Sequence, residues 1–178
     1  MQVETATADE WSLWRELRLQ ALQDAPDAFG STLADWQGEG DQEQRWRARL
    51  ESVDYNAIST VHGRGAGMAS GLLVNERVEL ISMWVAHFAR GQRVGDALVD
   101  SVIRWADEMK RDVVELSVRE GNDHAIALYV RHGFHVVGLI DRDDNSGPLE
   151  RLMAFESGHS RSKMGIIPYK QSSIECSI

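Results

Sequence analysis

The sequence has one cysteine, no long apolar run and fewer basic than acidic residues, and each shortage excludes a class of protein. The single Cys176 excludes an internal disulfide framework and a cysteine-rich zinc site, so we expect no metal. No apolar stretch approaches the roughly 20 residues that a membrane-spanning helix needs. The first residues are polar and acidic and do not resemble a signal peptide. We therefore expect a cytoplasmic protein without a membrane partner.

The charge balance is acidic, with 19 Lys and Arg against 28 Asp and Glu and a net charge of −9 at pH 7. This field disfavours a polyanionic partner such as DNA or RNA and favours a cationic one. Solubility alone also explains an acidic surface, so both interpretations stay open. The 178 residues, of which 43% are hydrophobic, suffice for one domain with a sizeable core.

The hydrophobic pattern predicts an α+β fold. Thr7-Ala8-Asp9-Glu10 has the spacing of a capping box and precedes a helix that ends at about Asp24, before Pro26. Apolar periodicity predicts strands at 3–6, 56–62, 68–74, 78–85, 113–118, 134–140 and 149–155, and further helices at 41–51, 94–110 and 123–132. These elements make residues 1–156 one domain. Residues 157–178 are serine-rich, and we expect a poorly ordered appendage or, alternatively, a segment that docks on a neighbouring subunit.

The most informative stretch is the apolar strand 78–85 with the segment that follows it, Arg90-Gly91-Gln92-Arg93-Val94-Gly95-Asp96-Ala97. A strand runs into a turn rich in glycine and arginine, and an amphipathic helix follows at once. Such a corner leaves backbone N–H groups free at a helix N-terminus, where the macrodipole favours an anion. The natural ligand of this corner is a phosphate.

A second motif, Asn122-Asp123-His124-Ala125-Ile126-Ala127-Leu128-Tyr129-Val130-Arg131-His132-Gly133-Phe134, indicates which phosphate. With the phosphate turn it resembles the GCN5-related N-acetyltransferase (GNAT) superfamily over most of residues 1–156. The resemblance implies a central mixed, mostly antiparallel sheet with helices on both faces. Arg93 stands where the family's Arg/Gln-x-x-Gly-x-Gly/Ala turn has its first glycine. A Cβ therefore occupies that approach to the pyrophosphate, although a guanidinium could itself hold phosphate.

The resemblance implies transfer of an acetyl group from acetyl-CoA to an amine. The turn would bind the diphosphate through Arg90, Gly91, Gln92, Arg93, Val94, Gly95 and Asp96. Backbone N–H groups near Trp84 and Val85 would stabilise the developing charge on the thioester oxygen. Tyr129 occupies the family's general-acid position, with a role as a core tyrosine as the competing interpretation. Asn122 would bond pantetheine or fix the neighbouring backbone.

The attacking amine must be neutral, and Glu79 lies close to the place where histone-acetylating members of the family carry their base. It could take the proton directly or through water. The alternative is a polar strand position that faces solvent or a helix N-terminus.

The resemblance implies that the acceptor is recognised by segments in which members of the family differ. Here the stretch from Pro26 to Asp41 and the turn 141–147 are both acidic, which favours a cationic acceptor unless these loops are merely solvated. Asp35 and Asp141 would bind the cation, while Phe29 and Trp36 would give it an apolar or stacking wall. The block from Arg15 to Ser31 is similar to the opening of bacterial GNAT proteins that acetylate small molecules, which leads to the hypothesis of an aminoglycoside-type antibiotic.

Two rival functions stay open. One is acetylation of protein or peptide N-termini or lysines, which needs an open groove for a peptide. The other is a non-catalytic domain that binds CoA. Members of the family often pair through their sheets, so a homodimer is our expectation for the oligomeric state.

Overall fold

The structure is a computed structural model that describes residues 1–140 and 149–158. The turn 141–148 and the chain from 159 onward, which carries most of the serine-rich segment, lie outside the described residues. The strands are β1 (Gln2–Thr5), β2 (Tyr55–Val61), β3 (Arg64–Val74), β4 (Arg77–Val85), β5 (Val113–Arg119), β6 (His135–Ile140) and β7 (Glu150–Glu156). The α-helices are α1 (Trp11–Asp24), α2 (Glu43–Glu51), α3 (Val94–Glu108) and α4 (Asp123–Arg131).

The strands form one seven-stranded sheet in the order β1-β2-β3-β4-β5-β7-β6. Only β4 and β5 run parallel, because α3 connects them as a crossover, and the other neighbours are antiparallel. The mixed, mostly antiparallel sheet of the α+β prediction is therefore confirmed.

Helices cover both faces of the sheet, and each face has its own apolar core. On one face, α3 and α4 pack against alternate residues of the strands, such as Ala57, Val78 and Leu116. On the other face, α1 and α2 pack against Ile58, Met68 and Trp84. Strand neighbours such as Ala57 and Ile58 thus serve opposite cores, as the period of two requires.

The local signals at the start of the chain are confirmed. The Thr7 hydroxyl accepts from the Asp9 N–H at 3.2 Å, and the Glu10 carboxylate accepts from the Thr7 N–H at 2.7 Å. This capping box opens a 3₁₀ turn that continues into α1. After Pro26 the chain makes further 3₁₀ turns at Pro26–Ala28, Ala34–Trp36 and Gly38–Gly40 before α2 begins.

The glycine-rich stretch 63–67, between the strands predicted at 56–62 and 68–74, belongs mostly to β3. The turn itself is His62 and Gly63, both with positive φ, and β3 already begins at Arg64. The next glycines lie within the strand because neighbouring groups approach closely there. A Cβ on Gly67 would meet the Trp84 carbonyl oxygen at 2.8 Å, which only a residue without a side chain avoids.

Candidate active site

A gap opens in the middle of the sheet where β4 and β5 separate. These parallel strands pair only at Val78 with Val114 and at Glu79 with Glu115. Residues 80–85 of β4 have no partner on β5 within the described ranges, so one edge of this strand is open. An extended molecule in the gap can pair with that edge as an additional strand would.

Val85, the last residue of β4, directs its backbone polar groups into this gap. The N–H of the next residue, Ala86, donates to the Ala66 carbonyl on β3 at 2.9 Å. Because N–H and C=O directions alternate along a strand, the groups of Val85 face away from β3. Arg90 Nε donates to the Val85 carbonyl at 3.2 Å. The Val85 N–H is therefore the donor that this residue offers to a ligand.

A β-bulge interrupts β4 just before this point. The register with β3 shifts between Met68 opposite Trp84 and Ser70 opposite Ile81, so Ser82 and Met83 are not matched to a residue of either neighbouring strand in the described chain. Ser82 has a φ of 56°, in the left-handed region that a serine seldom adopts. Bulges of this kind are frequent beside active sites, where they redirect the strand.

The turn between β4 and α3 offers several unpaired backbone donors. The N–H groups of Gly91 and of residues 93–96 have no acceptor among the described residues, and no side chain caps α3. Gly91 has a φ of 75°, and Arg93, at the helix N-cap, has a φ of 62°. The conformation at Arg93 is one that suits glycine, although the residue is arginine. The donors and the helix dipole together form an anion site.

Two polar side chains of the turn are bound to other residues of the protein, and that of Arg93 is not bound within the described residues. Gln92 donates to the Phe88 carbonyl at 2.8 Å, and Arg90 pairs with Asp24. Arg93 is exposed, and its guanidinium has no hydrogen-bond or ion-pair partner among the described residues. Of the arginines in this turn, Arg93 is therefore the one whose charge is available to a bound anion.

Asp96 faces away from the anion site and ties α3 to the end of α4. Its Oδ1 accepts from Arg131 Nη2 at 3.1 Å and lies 3.2 Å from His132 Nε2. The other ring nitrogen of His132 lies 2.9 Å from the Asp100 carboxylate. Burial alone would raise the pKa of Asp96, but the hydrogen bonds from Arg131 and His132 lower it below its usual value. Of the predicted binding groups of Asp96, only the backbone N–H is directed to a ligand.

Asp24 joins the end of α1 to the end of β4, a role that no sequence pattern indicated. Its Oδ2 accepts from the Trp84 indole at 3.1 Å and also pairs with Arg90. The hydrogen bond from Trp84, aided by the charge of Arg90, lowers the pKa of Asp24. The Trp84 side chain is thus part of the core and of this link, and its backbone pairs with Met68 of β3.

The two motif residues of α4 have distinct environments. Asn122 caps the helix, since its side-chain oxygen accepts from the Ala125 N–H at 3.3 Å. Tyr129 is 6% exposed and its ring lies 5.7 Å from that of Phe134. Burial raises the pKa of Tyr129 well above its ordinary value of about 10. The phenol therefore keeps its proton at neutral pH and can act only as a donor of it.

Glu79 lies at the last paired position before the gap, directly opposite Glu115. Arg77 pairs with Glu115 at 2.9 Å, and the Glu79 carboxylate has no hydrogen bond or ion pair with the described residues. Burial raises the pKa of Glu79, the charge of Arg77 opposes this shift, and the charge of Glu115 adds to it. A carboxylate with a raised pKa is a stronger base, as the predicted role requires.

Carboxylates of the acidic loop before α2 make hydrogen bonds and an ion pair with other residues of the chain, and the role of this loop in binding a cationic acceptor stays a prediction. Asp41 pairs with Arg15 and accepts from the Trp46 indole at 2.9 Å, and the Arg15 hydrogen bond is the main cause that lowers its pKa to about 2. Asp35 accepts from the Thr32 N–H at 2.7 Å. Carboxylates with such partners hold the loop in shape.

The aromatic side chains that were predicted to line the acceptor pocket are mostly buried in the protein. Trp36 is 3% exposed, with the Trp46 ring 4.3 Å away and the Arg45 guanidinium 4.3 Å from the ring centre. This placement does not support its role in an acceptor pocket. Phe29 is half-buried, with the Arg18 guanidinium 4.4 Å from its ring centre. Asp141 lies outside the described residues, so its role stays a prediction.

Comparison with known proteins places this geometry in a family. The model of the acetyltransferase (GNAT) family matches residues 11–134 of the chain, the span that contains the gap, the phosphate turn and α4. The chain belongs to the acetyltransferase (GNAT) family. As a member, it is an acetyltransferase, and the prediction of an acyl-transferring enzyme is confirmed. No curated protein matches the chain in sequence.

Solved structures with the same fold include several GNAT proteins. A GNAT acetyltransferase from Streptococcus pneumoniae superposes with a TM-score of 0.74 at 16% identity, covering 88% of this chain and 99% of that chain. A ribosomal-protein-alanine N-acetyltransferase from Brucella melitensis has a TM-score of 0.69 at 22% identity, with coverage of 88% and 99%. The yncA protein from Salmonella typhimurium, whose structure contains acetyl-CoA, has a TM-score of 0.70 at 18% identity, with coverage of 88% and 93%.

The described residues lack the features of a membrane span and of a metal site. None of the helices there is long and apolar enough to cross a membrane. The same ranges contain no cluster of three or more His, Cys, Asp or Glu side chains arranged to hold a metal ion.

Proposed function

We propose that the enzyme transfers the acetyl group of acetyl-CoA to a primary amine of a small cationic acceptor, with aminoglycoside-type antibiotics as the first class to test. One observation carries the choice of donor. The open edge of β4 leads directly into the unpaired N–H groups of residues 91 and 93–96. A site for an extended, amide-bearing arm therefore lies next to a site for a diphosphate. CoA contains both parts in that order.

The reaction forms a C–N bond and breaks the C–S bond of the thioester. Negative charge develops on the thioester oxygen as the amine attacks, and backbone N–H groups of β4 would stabilise it. Removing one such donor in other enzymes costs about 10²–10³-fold in rate. The departing thiolate takes a proton from the Tyr129 hydroxyl, which burial keeps protonated.

The base role that we propose for Glu79 favours one part of β4 as the position of the thioester. A strand rises about 3.3 Å per residue, so Val85 lies roughly 20 Å from Glu79 along β4 and Met83 roughly 13 Å. Glu79 cannot serve an amine at Val85, whereas at the bulge it can take the proton through intervening water. We therefore infer that the thioester lies beside the bulge at Ser82 and Met83, and that Val85 pairs with the arm of the coenzyme. The resemblance to the family had instead indicated backbone N–H groups near Trp84 and Val85.

The proposed acceptor is cationic because the Glu79 carboxylate at the gap has no hydrogen bond or ion pair with the described residues and the chain carries a net charge of −9. Asp41 does not support this proposal, since it pairs with Arg15 of α1, whereas Asp35 is exposed and accepts from Thr32 within the loop. The site still needs an acceptor amine that becomes neutral before attack. Amino sugars and polyamines meet that requirement, and so do peptide N-termini.

An acetylation assay that follows release of free CoA thiol, run over aminoglycosides, polyamines and peptides, tests the proposal. We expect turnover with at least one cationic small amine, and activity on peptides alone would replace the proposed acceptor. Tyr129→Phe should lower kcat by about 10²–10⁴-fold if the phenol is the acid. Tyr55→Phe is the matched control, because Tyr55 stacks on Trp105 at 5.1 Å in the core beside β2. Equal rates for Tyr129→Phe and the parent enzyme would exclude the acid role.

A further inference from the structure

A hydrogen bond connects α2 to the strained bulge of β4. Arg49 Nη2 of α2 donates to Ser82 Oγ at 3.2 Å, across a separation of 33 residues. Ser82 is the residue with a φ of 56°, and it is not matched to a residue of β3 or β5 in the described ranges. Arg49 also lies over the Trp14 ring of α1, with its guanidinium carbon 5.7 Å from the ring centre.

The conformation of Ser82 requires an explanation. For an L-residue other than glycine, a left-handed conformation costs about 1–2 kcal/mol. Such outliers persist when the surrounding structure holds them, and they cluster at functional sites. Here Arg49 of α2 holds the side chain of Ser82. Ser82 lies between the part of β4 that pairs with β5 and the residues of β4 that face the gap.

We propose that Arg49 is a positioning residue for catalysis, which holds the Ser82 bulge so that the backbone donors of β4 face the thioester. The inference rests on the proposed acetyl transfer at this gap. Arg49 touches neither the thioester nor the acceptor amine and acts through the backbone conformation of residues 82 and 83. A misplacement of about 1 Å at a reacting centre can cost about 10²-fold in rate.

Two variants separate the hydrogen bond from the backbone strain. Ser82→Ala removes the acceptor of the hydrogen bond and keeps the steric demand of a Cβ at positive φ. Arg49→Lys keeps the positive charge and the stem beside Trp14 but loses the planar fork of donors. Both should lower kcat by about 10- to 100-fold and leave the acetyl-CoA dissociation constant within about twofold, since the diphosphate site is untouched. Arg47→Lys is the matched control, because Arg47 on the same helix pairs with Glu43 and Asp9.

The double variant tests whether the two residues act through one contact. If they do, Ser82→Ala combined with Arg49→Lys should have the same kcat as either single variant. Multiplied losses, or a kcat equal to that of Arg47→Lys in each single variant, would overturn the proposal.

A measurement without substrate keeps this inference separate from the proposed function. Amide hydrogen exchange of Ile81 and Trp84, which pair with β3 on either side of the bulge, should be faster in the free protein of both single variants and unchanged in Arg47→Lys. Faster exchange in a protein that acetylates no amine would sink the proposed function and leave the positioning contact in place. Unchanged exchange would exclude the contact as the group that holds the bulge.

Discussion

Arg93 gives the sharpest test of the phosphate turn, because its backbone and its side chain lead to opposite expectations. Its φ of 62° is a conformation that suits glycine. Substitution by glycine removes strain of about 1–2 kcal/mol but adds flexibility to the unfolded chain worth about 0.5–1 kcal/mol. The guanidinium has no partner in the described chain, so no contact is lost. We expect Arg93→Gly to change the free energy of unfolding by less than about 1 kcal/mol.

The effect of Arg93→Gly on acetyl-CoA affinity should be larger. A hydrogen bond to a charged group contributes about 1.5–3 kcal/mol, and solvent at this exposed position favours the lower figure. The dissociation constant should therefore rise by about tenfold. Isothermal titration calorimetry with acetyl-CoA measures it directly, at low and at high salt, because the contribution of a screened charge should shrink as salt increases.

Arg93→Asn is the matched control, since asparagine tolerates positive φ and carries no charge. It should weaken binding as much as the glycine variant does. Tighter binding of Arg93→Gly than of the parent protein would refute the reasoning, because the Cβ of Arg93 would then be an obstacle to the diphosphate. Equal affinity in all three proteins would show that the guanidinium does not touch the coenzyme.

Three further predictions concern the loop before α2, the base and the core. The fall in the pKa of Asp41 from 3.8 to about 2 corresponds to roughly 1–2 kcal/mol after allowance for solvent screening. Asp41→Asn should lower stability by that amount at neutral pH, with the difference disappearing as the pH falls from about 4 to 2; a difference independent of pH in chemical denaturation would contradict this. Glu79→Gln should lower kcat/KM by about 10²-fold or more and remove the acidic limb of the pH–rate profile, so a retained limb would exclude Glu79 as the base. Gly71→Ala would place a Cβ 2.6 Å from Trp105 and should cost about 1–3 kcal/mol in thermal unfolding, whereas Gly30→Ala, with nothing within 4 Å, should not, and equal losses would contradict the packing argument.

The sequence predicted those parts of the fold that depend on residues close together in the chain. The capping box at Thr7 and the strand–turn–helix at the phosphate corner follow from short-range periodicity and turn chemistry. The gap could not be predicted in this way, since no periodicity of β4 or β5 shows where two strands separate. The bulge at Ser82 was missed because it breaks neither the length nor the apolar character of the strand.

Long-range pairings account for the predictions that the structure does not support. The sequence of a loop does not show whether a carboxylate in it faces a ligand or an arginine elsewhere in the chain. Asp41 pairs with Arg15, which lies 26 residues away, and Asp24 holds Arg90, which lies 66 residues away. Nothing in the spacing of these residues indicates the pairing. Trp36 was assigned to a pocket from its place in a variable loop, while its burial depends on α2.

The central claim is that the turn at residues 90–96 binds the diphosphate of acetyl-CoA while β4 pairs with the arm. Backbone amide NMR of the protein during titration with CoA reports on this claim most directly. The account predicts saturable shifts of the Gly91, Arg93, Val94, Gly95 and Asp96 amides together with that of Val85, at a single midpoint. Binding that leaves these amides unmoved, or an absence of binding, would contradict it.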